Sequence, residues 1–200
     1  MAAREEQKQA TRRQLLACAK ALFQQKGYDK VSTRQISAAA GVSVGTLFAH
    51  FPDKHQLTKA LFHEELNQLL EKSPPLPEQL SGLDFMARQS LVLFRYYERD
   101  RALSRGLLQN AFFEQGFFGE QLNGFIAQLA QCLSRELPTH GIEQRLVLAQ
   151  AFMGFYFYQL MQGLSGVTPA EQWQEELLVQ CRALLAMVSQ DQEQLETGFP

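Results

Sequence analysis

Residues 32–54 read STRQISAAAGVSVGTLFAHFPDK. Ser32 and Gln35 stand at the S-x-x-Q spacing of a capping box, in which each side chain satisfies an orphan backbone amide of the other. A helix is therefore predicted from Thr33 to about Ala40. Gly41 follows, suited to a left-handed turn. Ser43 can cap a second helix, Val44 to about His50, which Pro52 stops. Asp53 with Gln56 offers a further capping pair, for a helix reaching about Leu70. Two helices across a tight turn with a glycine at its centre make a helix-turn-helix. A helix as short as Val44–His50 is not stable alone, so neighbours must hold it.

Those neighbours are visible in the sequence. A first helix is predicted from about Gln9 to Gln25, with Leu15, Ala19, Leu22 and Phe23 at helical spacing and Gly27 as its stop. Leu22 and Phe23 with Ile36, Val42, Leu47, Phe51 and Leu57 supply a small core. Val44, Gly45, Thr46 and Phe48 or Ala49 are left facing outward. None is charged and most are small. Small side chains let a helix backbone sit deep in the major groove of double-stranded DNA.

Charge supports that partner. The chain has 200 residues, 46% hydrophobic and 20% charged, with a net charge of −2, which is globular composition. Residues 1–60 hold ten Lys/Arg against four acids, a balance of +6, and the other 140 residues hold nine against seventeen, a balance of −8. A basic segment on an acidic body suits a polyanion met by that segment alone. No apolar run approaches the roughly 18 residues of a membrane span, and "MAAREEQKQATRRQ" has no signal-peptide core. The chain is therefore expected to stay in the cytoplasm, without a membrane partner. Cys18, Cys132 and Cys181 form no CxxC pair and each lies in an apolar helical pattern, as small hydrophobes do. The four histidines show no metal spacing, and "HEEL" at His63 fails the HExxH pattern. There is no nucleophile elbow, P-loop or dinucleotide fingerprint. Neither an enzyme nor a cofactor or metal site is expected.

The remaining chain also reads as helices, so the fold class is all-α, with about nine helices and no sheet. "EKSPPLPEQLSG", residues 71–82, is the proline-rich break. It divides a DNA-binding domain, 1–71, from a larger helical domain, 72–200. Body helices are predicted over 83–100, 101–113, 114–137, 142–163 and 169–189, followed by a polar, frayed tail. The helix over 142–163 is apolar on nearly every side between Val147 and Met161. Such a helix must be covered all round, which requires a partner chain. The last helix adds a stripe of Leu177, Cys181, Leu184 and Val188, widened by Leu178, Leu185 and Met187.

The stretch FQQKGYDKVSTRQISAAAGVSVGTLFAHFPDKHQLTKAL, residues 23–61, resembles the DNA-binding domain of the TetR family of transcriptional regulators. Gly27-Tyr28, Ile36, Ala40-Gly41-Val42-Ser43, Gly45-Thr46-Leu47, His50-Phe51, Pro52, Lys54 and Leu57 fall at family spacing. The likeness covers about residues 9–62; beyond residue 80 only the helical pattern matches. The resemblance implies that Arg34, Val44, Gly45 and Thr46 meet base edges, and that Thr33, His50 and Lys54 meet phosphates. This chain departs from the family at Phe48, where tyrosine is usual. Phe48 cannot donate a hydroxyl hydrogen bond, so only apolar contact with DNA is left to it. The resemblance further implies a homodimer through the last two helices, a palindromic operator, and a small apolar or aromatic effector in the body. Candidate pocket residues are Arg88, Phe94, Tyr97, Phe112, Phe113, Phe117, Phe155 and Gln159. Aromatic residues at helical spacing are more often plain core. The expected function is a repressor; an activator, or a helical interaction module without DNA binding, are the alternatives.

Overall fold

The computed structural model describes residues 2–71, 77, 79–111 and 117–197. Among them run nine α-helices: α1 (Ala2–Lys26), α2 (Thr33–Ala39), α3 (Val44–His50), α4 (Lys54–Glu71), α5 (Gly82–Arg99), α6 (Arg101–Ala111), α7 (Phe117–Cys132), α8 (Ile142–Leu164) and α9 (Trp173–Thr197). A 3₁₀ turn, Ala170–Gln172, precedes α9. No strand occurs among the described residues. The fold is all-α, as the periodicity predicts.

Several boundaries differ from the sequence reading. Helix α1 starts at Ala2 rather than near Gln9, and α9 continues through the polar stretch expected to fray. Both extensions are rich in Gln, Glu and other good helix formers, which need no apolar face to continue a helix already nucleated. Helix α7 stops at Cys132, short of Leu137. The residues beyond it have other work. The Glu136 carboxylate accepts from the Gly82 and Leu83 amides at 3.1 and 3.0 Å, and the Arg135 guanidinium donates to the Gln79 carbonyl. A carboxylate there satisfies orphan donors at the start of α5.

By contact the chain divides into two units, residues 1–73 with 100–118, and residues 74–99 with 119–200. In the first, α1 packs on α2 and α4, and α2 on α3. Its core is Leu15, Ala19, Phe23, Ile36, Leu47, Phe51, Leu57 and Phe62, all buried; Leu22 and Val42 are half-buried. Gln14 donates from Nε2 to the Ala40 carbonyl at 3.0 Å, closing the end of α2 from α1. Lys20 and Glu65 join α1 to α4 at 2.6 Å. Helix α6 lies among the body helices in sequence but packs on α4. Its Gly106 meets the Tyr28 ring so closely that a Cβ there would stand 3.1 Å from Cγ.

In the second unit α9 packs on both α5 and α8. Its buried stripe is Trp173, Leu177, Cys181 and Leu185, at strict four-residue spacing; Leu184 and Val188 are half-buried. Trp173 donates from Nε1 to the Thr168 carbonyl at 2.9 Å. A Cβ at Gly163 would overlap its indole, so the absent side chain is what lets the ring lie against α8. Cys181 is fully buried, and burial pushes its thiol up to about 12. It is inert at neutral pH.

Candidate nucleic-acid interface

The short helices are fixed by the local bonds their sequence encodes. The Gln35 amide donates to Ser32 Oγ at 3.2 Å and the Ser32 amide to Gln35 Oε1 at 2.8 Å, a complete capping box. Gly41 takes φ +65°, the left-handed conformation the turn requires. The Thr46 amide donates to Ser43 Oγ at 3.0 Å, capping α3. The Gln56 amide donates to Asp53 Oδ1 at 2.7 Å, at the start of α4.

On α3 only Leu47 is fully buried. Val44 and Thr46 are half-buried; Gly45, Phe48 and Ala49 are exposed. A Cβ at Gly45 would meet nothing nearer than Ser43 Oγ, at 3.7 Å. This face is open, and its only bulky member is Phe48, 46% exposed. Thr46 is not wholly available: its Oγ1 lies 2.8 Å from Ser43 Oγ, within the cap. On α2 Arg34 is exposed, and Thr33, the first helical residue, is half-buried.

The two remaining phosphate candidates have protein surroundings. His50, the last residue of α3, is half-buried. Burial, then the charges of Arg12 and Lys8, hold its pKa below the ordinary histidine value. The Arg12 guanidinium lies 4.5 Å above the Phe51 ring. Lys54 donates from Nζ to the Tyr28 carbonyl at 2.6 Å and sits 3.9 Å from the Tyr28 ring centroid. Burial pulls its pKa down, opposed by the Asp29 charge. Lys54 is thus a strut between α4 and the α1–α2 connection. Its partner lies 26 residues away, beyond the reach of local sequence signals. Beside these residues a groove of about 580 Å³ runs between α1 and α4, its lining including Arg12, His50, Lys59 and His63.

The body candidates separate. Phe94 on α5 stacks on Tyr156 on α8, with centroids 5.0 Å apart and planes at 5°, and meets Trp173 edge-on at 5.6 Å. Tyr97 is buried beside them. Burial raises its phenol pKa, opposed by a hydrogen bond with Tyr156. Burial, then Tyr97 itself, raises that of Tyr156. Gln159, one turn on from Tyr156, is 1% exposed, and its Oε1 has no hydrogen-bond partner among the described residues. Phe155 is half-buried and Arg88 exposed. Phe112 and Phe113 lie outside the described residues, and Phe117 is only the first residue of α7. Tyr156 and Trp173 are not among the pocket candidates of the sequence, because their spacing is that of any core residue.

Comparison with known proteins agrees with this fold. Residues 15–61 match the family model described as bacterial regulatory proteins, tetR family. An HTH-type transcriptional repressor of Mycobacterium tuberculosis is 42% identical over 60 residues, covering 30% of this chain and 32% of that protein. A TetR transcriptional regulator from Rhodococcus sp. RHA1 superposes with a TM-score of 0.67 at 21% identity, over 90% of this chain and 98% of that one. Thermus thermophilus FadR, a TetR-family repressor in complex with lauroyl-CoA, gives 0.61 at 19% identity, over 88% and 93%.

Proposed function

The chain belongs to the TetR family of regulatory proteins, and from that premise we propose that it is a homodimeric repressor that lays α3 in the major groove of a palindromic operator. The family acts by binding DNA and not by catalysis. The observation that carries the reading is the face of α3: capped by Ser43, open at Gly45, and free of charge. Arg34, Val44, Gly45 and Thr46 are assigned to base edges, and Thr33, His50 and Lys54 to phosphates, with Phe48 in apolar contact. Residues 1–71 carry these contacts, and residues 72–200 the dimer face and the effector site.

The dimer is supported by exposed apolar side chains on α8 and α9: Val147, Tyr158, Met161, Val179 and Met187. An obligate interface of this kind buries on the order of 2,000 Å² or more. The effector site is supported by the aromatic cluster of Phe94, Tyr156 and Trp173 with Tyr97 and the unpartnered Gln159 oxygen beside it. An uncharged ligand with an apolar or aromatic body and one hydrogen-bond donor suits it. Release follows by population shift: a ligand that binds better to the conformation with misfitting α3 helices draws the dimer away from DNA. No described helix is long and apolar enough to cross a membrane, in keeping with a cytoplasmic repressor.

A titration of the purified protein against DNA from upstream of its own gene tests this. Protection of two half-sites about one helical turn apart is expected, with affinity falling steeply as salt rises. Absence of any specific fragment, upstream or in a genomic selection, overturns the reading.

A further inference from the structure

We propose that α1 is part of the DNA interface: Lys8 and Arg12 join His50 in a second phosphate clamp, at the C-terminal end of the recognition helix. The proposal rests on the reading that α3 enters the major groove. Helix α3 has seven residues, about 10 Å of length, in a groove about 12 Å wide. Both of its ends therefore approach the phosphates that border the groove. The C-terminal end presents carbonyls and the negative end of the dipole, which repel phosphate unless cations compensate.

Two cations stand there. Arg12 is held over the ring of Phe51, the residue that caps α3. Lys8 precedes it by four residues, on the same face of α1, and is exposed. Both act on His50 through space. Among the described residues neither forms an ion pair. The other charged or titratable groups near His50 are few. Lys59, His63 and Glu64 of α4 line the groove shared with Arg12 and His50. Asp53 turns its carboxylate to the Gln56 amide, and α3 holds no other charge. The balance at this end is positive, and it is placed before DNA arrives.

The clamp has a protonic consequence. In the free protein burial, Arg12 and Lys8 disfavour the imidazolium of His50. A phosphate seated on the same cations favours it. The pKa of His50 is then higher in the complex than in the free protein, so binding takes up a proton. Affinity rises as pH falls through the window between the two values, and levels off below the lower one.

The test is a binding titration of the full-length protein on its operator, over a range of salt and between about pH 6 and 8, with thermal melts alongside. Lys8→Gln is expected to melt like the parent and to weaken all sequences alike by several-fold. Its plot of log affinity against log salt should lose about one unit of slope per half-site. Arg12→Gln should do the same. Should it also melt early through loss of the Phe51 contact, Arg12→Lys keeps the charge and should restore the slope. His50→Gln should abolish the gain in affinity at low pH. Parental affinity and slope in Lys8→Gln, or an unchanged pH response in His50→Gln, overturn the clamp while leaving the repressor reading intact. Failure of the unsubstituted protein to bind any DNA removes that reading, and the clamp with it.

Discussion

Helices α3 and α8 each leave a face exposed among the described residues, and the two faces are built in opposite ways. Helix α3 shows a glycine, an alanine and one phenylalanine over a single buried leucine. Helix α8 buries Leu148, Phe152, Met153, Tyr156 and Leu160, and still exposes Val147 at 66% and Met161 at 56%. Burying a side chain of that size contributes roughly 1.5–3 kcal/mol. Gly45 and Ala49 could gain almost nothing that way. Their value lies in how close a partner's surface comes to the helix backbone. A bare bulky apolar face asks for another protein surface; a bare slender face asks for a groove.

The strongest way to break this contrast is Gly45→Glu. It puts bulk and negative charge where the groove floor and phosphates should be. Specific DNA affinity is expected to fall by about a thousandfold or more, equivalent to two lost base contacts in a dimer. The melting curve should hardly move, because the site is open. Gly45→Ala should leave stability within about 1 kcal/mol, or raise it slightly. Early melting of both variants would mean that α3 turns Gly45 toward its own domain.

Met161→Asp attacks the other face. Charge at the centre of an apolar interface should raise the dimer dissociation constant by about a hundredfold, or roughly 3 kcal/mol. Equilibrium sedimentation reads this directly. Unchanged association would place the interface elsewhere. Lys54→Ala sharpens the comparison, because the residue is pinned inside its unit yet assigned to phosphate. Loss of the Tyr28 bond and ring contact should cost about 1–2 kcal/mol of stability, and the salt slope should drop by about one unit per half-site. A lower melting temperature with an unchanged slope would make Lys54 a strut alone. The smallest effect belongs to Gly106→Ala. The Tyr28 ring must yield by a few tenths of an ångström, and the better helix former returns up to about 1 kcal/mol. Stability should stay nearly constant while operator affinity shifts by a few-fold at most; a large loss of either would make this contact a rigid pivot.

The reading head was legible because its signals are short. Ser32 with Gln35, Ser43 with Thr46 and Asp53 with Gln56 each bond across three residues. Such pairs form wherever the chain is placed, so the sequence alone announces them. The rest depends on tertiary neighbours. Lys54 reaches 26 residues back to Tyr28, and Glu136 reaches 54 to Gly82. No local pattern marks either partner. In the body, apolar spacing shows that α8 and α9 are packed, but gives Tyr156 and Phe152 the same appearance. Only burial beside Tyr97 and Gln159 sets Tyr156 apart. The alliance of α6 with α4 was hidden for a similar reason: its periodicity names an inward face without naming what it meets.

That alliance bears on how such a protein can diversify. The first unit takes in α1 to α4 and α6, while α5, between α4 and α6 in sequence, belongs to the second. The reading head is therefore no detachable cassette. A recombination joint near residue 71 would bring in a foreign α1–α4 and leave it to meet an α6 selected for another Tyr28 and another α4. Grafted heads of that kind should carry a mismatch at Gly106 that no linker length repairs. New operator preference is acquired more easily by single substitutions on the slender face of α3, where, among the described residues, a Cβ at Gly45 would meet only its own cap.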